Sequence, residues 1–137
     1  MQIFNTMTRQ KEEFTPQKEG EYRIYVCGPT VYNYIHIGNA RPMIVFDTLR
    51  RYLEYRGNKV IYVSNITDID DKLIKKGQEE GTSMQEVARK FEAEYIKDSD
   101  GLNVKTPTVR PRATEHIGEI IGIVKDLVES GHAYVAR

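Results

Sequence analysis

Cys27-Gly28-Pro29-Thr30-Val31-Tyr32-Asn33-Tyr34-Ile35-His36-Ile37-Gly38-Asn39-Ala40-Arg41 is the stretch on which the fold of this chain turns. Before it, Arg23-Ile24-Tyr25-Val26-Cys27 is rich in β-formers and stops at Gly28-Pro29, as a buried strand entering a turn does. After it, residues 41–56 carry Val45, Leu49, Tyr52 and Leu53 at helical spacing; Pro42 suits a first turn, and Gly57 is placed to end the helix. Residues 59–64 then offer Val60, Ile61, Tyr62 and Val63, the pattern of a second buried strand. Strand, helix and strand within about 45 residues predict a right-handed βαβ unit with parallel strands. Ligands of such a sheet bind just outside the carboxyl ends of its strands, and the 27–41 stretch falls there.

Farther along, residues 68–80 read as a short polar helix, with Asp68, Asp70 and Asp71 in its first turn and Lys72, Lys75 and Lys76 behind them. Ser83 and Glu86 have capping-box spacing, and Met84, Val87, Ala88, Phe91 and Tyr95 form one apolar stripe behind them. Beyond a loop with Pro107 and Pro111, the positions Ile117, Ile120, Ile121, Val124, Leu127 and Val128 give the clearest helical period, closed by Gly131. All these stripes are read as core faces. Residues 132–135 begin an extended segment, and the expectation is of a truncated chain, since that segment still lacks a pairing partner.

The 137 residues hold 20 basic and 20 acidic side chains and 39% apolar ones, which suits one globular domain or part of a larger one and argues against disorder. No apolar run is long enough to cross a bilayer, and residues 1–14 are polar where a secretory signal would be apolar, so a cytoplasmic protein is expected. The single cysteine, Cys27, excludes an internal disulfide framework and cannot by itself complete a tetrahedral metal site. A net charge of zero decides nothing about nucleic acid, because a binding patch is local.

The chemistry concentrates in the loop. Gly38 would let backbone approach a nucleotide, the helix amino terminus would offer N–H groups to phosphates, and His36 and Asn39 can donate to the same anion. Taken alone, this set fits a turn histidine satisfied by backbone better than it fits a site. Its context is more telling: His36-Ile37-Gly38-Asn39 is similar to the His-Ile-Gly-His signature of class I aminoacyl-tRNA synthetases, and like that signature it follows a strand and opens a helix. Asn39 stands at the final histidine; an amide still donates to a phosphate oxygen but carries no positive charge.

Tyr25-Val26-Cys27-Gly28-Pro29-Thr30 resembles the motif with which the cysteinyl-tRNA synthetases of that class supply one ligand of an active-site zinc. The resemblance extends over Ile3-Phe4-Asn5-Thr6, Arg9 to Phe14, Ser64-Asn65-Ile66-Thr67-Asp68-Ile69-Asp70-Asp71-Lys72 and Pro111-Arg112-Ala113-Thr114. It implies an α/β, Rossmann-like parallel sheet in which residues 1–137 are the first portion of a class I catalytic domain. It also implies that His36 and Asn39 act in catalysis; that Pro29, Thr30, His36, Gly38 and Asn39 bind ATP; that Gly28, Thr30 and Thr67 meet the amino acid; and that Cys27 binds Zn2+. Magnesium would accompany ATP, and L-cysteine and tRNA(Cys) would be the other partners of a monomeric full-length enzyme. A zinc-held thiolate would reject serine, a harder and less acidic ligand, without editing.

The second phosphate-binding loop of the class and the remaining zinc ligands are not in the sequence, so these residues alone are expected to be inactive and to hold zinc weakly or not at all. His116 and His132 read as structural rather than as zinc ligands, and the three aspartates as helix capping in a solvated turn rather than a magnesium or calcium cluster. Two rivals stay open at this point: an ATP-dependent ligase joining cysteine to an amino-sugar, and a non-catalytic module that binds tRNA or a partner protein.

Overall fold

A computed structural model describes residues 1–136. The chain starts with an antiparallel hairpin, β1 (Gln2–Asn5) and β2 (Gln10–Glu13), in a segment where the sequence suggests no strand. Then come β3 (Glu21–Val26), α1 (Ile37–Tyr55) and β4 (Lys59–Ser64), with β3 and β4 parallel and paired from Glu21 opposite Lys59 to Val26 opposite Ser64. This is the expected strand–helix–strand unit. Residues 109–112 run alongside β4, with parallel bridges from Val63 to Val109 and Ile66 to Arg112, and so add a third extended segment to the sheet.

α1 begins four residues earlier than its apolar period suggests. His36 is the N-cap, so Gly38 and Asn39 belong to the first turn and Pro42 lies farther inside the helix. Its buried positions are Ala40, Met43, Asp47 and Leu53, whereas Val45 and Tyr52 of the expected stripe face outward. Leu53 packs with Ile24, Val60 and Tyr62 between helix and sheet. A second core joins Val31, Met43, Ile66 and Leu73 to Val87, Ala88, Phe91 and Tyr95, and so clamps α2 (Asp71–Glu80) and α3 (Met84–Gly101) over the exits of the strands. Four of the five positions predicted for the α3 stripe belong to that core.

The acidic turn differs from expectation. Asp70 is the N-cap of α2 and Asp71 opens the helix, but Asp68 is buried and accepts from the Thr114 amide at 3.0 Å and its hydroxyl at 2.5 Å. Its partner lies 46 residues away, so local patterning could not reveal it. Arg112 fastens the same segment to α3 through Glu92, at 2.8–3.1 Å.

After a 3-10 turn (Ala113–His116), α4 spans Ile117–Glu129 and buries no residue. Its stripe is as periodic as predicted, and Ile117, Ile120, Ile121, Ile123, Val124, Leu127 and Val128 are 38–61% exposed, so nothing among the described residues covers it. Gly131 follows with φ of 76°, the left-handed geometry expected of it. Residues 132–135 form no strand, because the His132 and Ala133 amides both return to the Leu127 carbonyl.

The start of α3 carries a pH signature. Glu86 receives the Thr82 hydroxyl at 2.5 Å, the Ser83 amide at 3.0 Å and the Ser83 hydroxyl at 2.8 Å, and these donors, the Thr82 one foremost, pull its pKa from 4.5 to about 2. A carboxyl depressed in the folded state stabilises fully above its unfolded pKa and loses that contribution as pH falls through the folded value. The stability advantage of the native chain over Glu86→Gln is therefore expected to be complete above about pH 4.5 and to vanish toward pH 2. Thermal melts of both proteins across that range check it; a constant difference would contradict it.

Candidate active site

Cys27 follows the last residue of β3, and Asn65 the last of β4. The strands pair up to Val26 and Ser64 and meet again at a parallel bridge between Thr30 and Thr67. Between these points the first strand carries residues 27–29 and the second only 65 and 66, so the first must bulge by one residue. The bulge leaves the Cys27 thiol exposed, unlike the buried small hydrophobe that a lone cysteine commonly is. At Gly28 the two backbones meet: a Cβ there would lie 1.6 Å from the Asn65 carbonyl oxygen, so only glycine fits.

Asn65 fastens the bulge. Its Oδ1 accepts from the Gly28 amide at 2.8 Å and the Tyr25 hydroxyl at 2.9 Å, while its Nδ2 donates to Thr67 Oγ1 at 3.1 Å. Backbone bonds from Thr67 N to the Pro29 carbonyl (3.1 Å) and from Val31 N to the Thr67 carbonyl (3.2 Å) complete the seam.

The start of α1 is closed by a reciprocal cap. Gly38 N–H donates to His36 Nδ1 at 3.1 Å, and His36 N–H donates to Asn39 Oδ1 at 3.0 Å. Each side chain thus uses one end locally and keeps the other. A neutral His36 accepting at Nδ1 carries its proton on Nε2, and Asn39 retains its Nδ2 donors. A turn histidine satisfied by backbone carbonyls is the plain expectation, but the ring accepts from a backbone amide at Nδ1 and so keeps Nε2 for the ligand role that the signature implies. The helix terminus offers fewer free backbone donors than expected, because the Gly38 amide serves His36 and the Asn39 amide serves the His36 carbonyl. A Cβ on Gly38 would come within 3.3 Å of His36 Nδ1, so this glycine also makes room for the cap.

Two adjoining pockets open here. Cys27, Gly28, Pro29 and Asn39 line the first, with Tyr62 and Arg110 among its walls. Pro29, Thr30, His36 and Asn39 line the second, together with Tyr32 and Lys72. Pro29 and Asn39 belong to both and form the partition between them. Thr67 lines neither pocket and touches the site through Asn65 and the Pro29 carbonyl. Burial, then Tyr95 and Asp47, push the Tyr62 phenol above its usual range, so it lines the first pocket as a neutral group.

The family profile for the tRNA synthetases class I (C) catalytic domain matches residues 13–137. The chain belongs to this family. It is 60% identical over all its 137 residues to a cysteine-tRNA ligase of Clostridioides difficile. It is 59% identical over 134 residues, 98% of its length, to the ligase of that name from Lachnoclostridium phytofermentans. A third relative of that name, from Carboxydothermus hydrogenoformans, is 60% identical over 134 residues. The chain spans 28–30% of the length of these three relatives.

Within this class I frame, Cys27 suits one corner of a zinc site: its thiol is exposed and faces a pocket. Among the described residues no three of His, Cys, Asp or Glu stand close enough to hold a metal, so further ligands would come from outside them. His116 stands 3.7 Å from Glu119, and His132 Nδ1 lies 3.0 Å from the Ser130 hydroxyl. No helix among the described residues is long and apolar enough to cross a membrane.

Two site residues escaped the sequence reading. Lys72, read there only as a complement to the helix dipole, brings a cation to the His36 pocket, its Nζ 5.3 Å from the centre of the Tyr32 ring. Arg110 brings a second, above Tyr95, to the Cys27 pocket. Asn65, which the resemblance places on the same pocket together with Ile66, Thr67 and Asp68, lines neither pocket and is instead the node of the strand-end seam.

Proposed function

We propose that this chain is the amino-terminal, nucleotide-binding part of the catalytic domain of a cysteine-tRNA ligase, a cytoplasmic and monomeric enzyme in its full length. The observation that carries the reading is the meeting of the Cys27 thiol and the Asn39 amide on one pocket at the carboxyl ends of parallel strands. The name shared by its relatives supports tRNA as acceptor and disfavours an amino-sugar acceptor. The exposed Cys27 and the free ends of His36 and Asn39 disfavour a purely non-catalytic module.

In the first step a cysteine carboxylate oxygen attacks the α-phosphorus of ATP, the α–β phosphoanhydride bond breaks, and pyrophosphate leaves. The aminoacyl group then passes to the terminal ribose of tRNA(Cys). His36 Nε2–H and Asn39 Nδ2–H donate to phosphate oxygens, and their partners in the cap hold them in place, so no reorganisation is needed as charge develops. Pro29 and Thr30 shape the wall shared with ATP, and Gly28 lets the substrate lie close to the strand ends. Thr67 holds the Pro29 carbonyl and so the floor of the site. Magnesium would arrive with ATP and neutralise phosphate charge. Zinc, when bound with Cys27 as one ligand, would select a thiolate over a hydroxyl.

Pyrophosphate exchange in the full-length enzyme tests the proposal. Exchange should depend on cysteine, and Cys27→Ser should lower both the zinc content and the preference for cysteine over serine. Cysteine-independent exchange would sink the activity; unchanged zinc in Cys27→Ser would remove Cys27 from the metal site. Esterification of tRNA(Cys), against transfer to an amino-sugar, decides the acceptor.

A further inference from the structure

The extra residue in the first strand creates a difficulty that Asn65 resolves. A residue inserted into one side of a ladder leaves a backbone group without its ladder partner, and here the Gly28 amide finds its acceptor in a side chain rather than in a backbone carbonyl. The Asn65 side chain supplies the missing acceptor at 2.8 Å and braces itself on the neighbouring strand through Tyr25. Its other end reaches Thr67, so one amide ties together a residue before Cys27, the residue after it and a residue beyond the next strand. None of these contacts belongs to the hydrophobic cores, and Asn65 is only partly buried.

We propose that Asn65 is a positioning residue for the amino-acid half of the site: by capping the bulge it fixes the direction in which Cys27 leaves the sheet, without touching the nucleotide half. The inference rests on the assignment of Cys27 to cysteine binding. The His36–Asn39 cap closes on itself with no bond to Asn65, and the link between the halves runs through the backbone bond from Thr67 N–H to the Pro29 carbonyl, which a change of the Asn65 side chain leaves in place.

The test compares the native full-length enzyme with Asn65→Ala, Asn65→Asp and Tyr25→Phe, by pyrophosphate exchange and by zinc content after dialysis. Asn65→Ala is expected to raise the KM for cysteine tenfold or more, with KM for ATP within about twofold of native, and to lose zinc more readily. Asp keeps the acceptor for Gly28 and should recover most of the cysteine KM, while Tyr25→Phe, which spares the Gly28 bond, should have the smallest effect. A folded Asn65→Ala with native cysteine KM and zinc would overturn the inference, as would cysteine and ATP KM rising together. If Asn65→Ala does not fold, Asn65→Asp and Tyr25→Phe decide it: an Asp variant no closer to native than Tyr25→Phe is to a complete loss overturns it. A native enzyme that shows no cysteine-dependent exchange contradicts the assignment of function instead, whatever Asn65 does.

Discussion

Gly28→Ala is expected to destroy the strand-end seam and, with it, the folded site. A methyl group 1.6 Å from the Asn65 carbonyl oxygen and 2.8 Å from its carbon meets backbone, which cannot rotate aside as a side chain would. The strands must part, which costs the Gly28–Asn65 hydrogen bond at 2.8 Å and loosens the Thr30–Thr67 bridge next to it. The loss should exceed about 4 kcal/mol, the exceptional range for a single substitution. Gly122→Ala in α4 is the control: nothing lies within 4 Å of its added methyl, and the same change there should stabilise by about 0.5–1 kcal/mol through helix propensity alone. Urea denaturation of the three proteins reads both signs, and a Gly28→Ala protein as stable as native would show that the backbones do not meet as described.

His36→Ala in the full-length enzyme is the second large effect. Removing the ring takes away the Nε2 donor, and it also strips the acceptor from the Gly38 amide. If the donor acts on charge that develops during adenylate formation, the rate of that step should fall by roughly 2–4 kcal/mol in activation free energy, with cysteine affinity changed far less. Asn39→Ala should cost about 1.5–3 kcal/mol, because it removes the neutral amide donor and the other half of the cap. His36→Asn separates the two roles, since its Oδ1 stands where Nδ1 accepts from the Gly38 amide while no donor reaches the Nε2 position. Single-turnover adenylate formation measures all three, and native rates in His36→Ala would end the assignment.

The βαβ unit was legible because its signals are local: β-branched runs ending at glycine, and apolar residues at helical spacing. The β1–β2 hairpin was not, because Gln10-Lys11-Glu12-Glu13 is polar throughout and shows no alternation. The start of α1 was misplaced for a specific reason. Histidine is an uncommon N-cap, and Pro42 imitates the first-turn proline that usually marks an entry. Cys27, Gly28, Pro29 and Asn39, named from the sequence, do share one pocket, and His36 and Thr30 share the next. What stayed hidden depends on contacts between distant residues. Asp68 meets Thr114 and Asn65 meets Gly28 across intervals of 46 and 37 residues, and neither has a periodic trace. Periodicity identified α4 as amphipathic but carried no information about whether its stripe is covered.

That uncovered stripe bears on how the 137-residue chain behaves in a tube. Copies of a protein are kept apart in solution by like charge, and this one has 20 positive and 20 negative side chains with no surplus of either. Two molecules that collide near neutral pH meet little electrostatic resistance, and each brings seven partly bared aliphatic side chains along one helix. Salt would weaken what repulsion exists between local patches and would strengthen apolar association, so the usual remedy of raising ionic strength would act in the wrong direction for this chain.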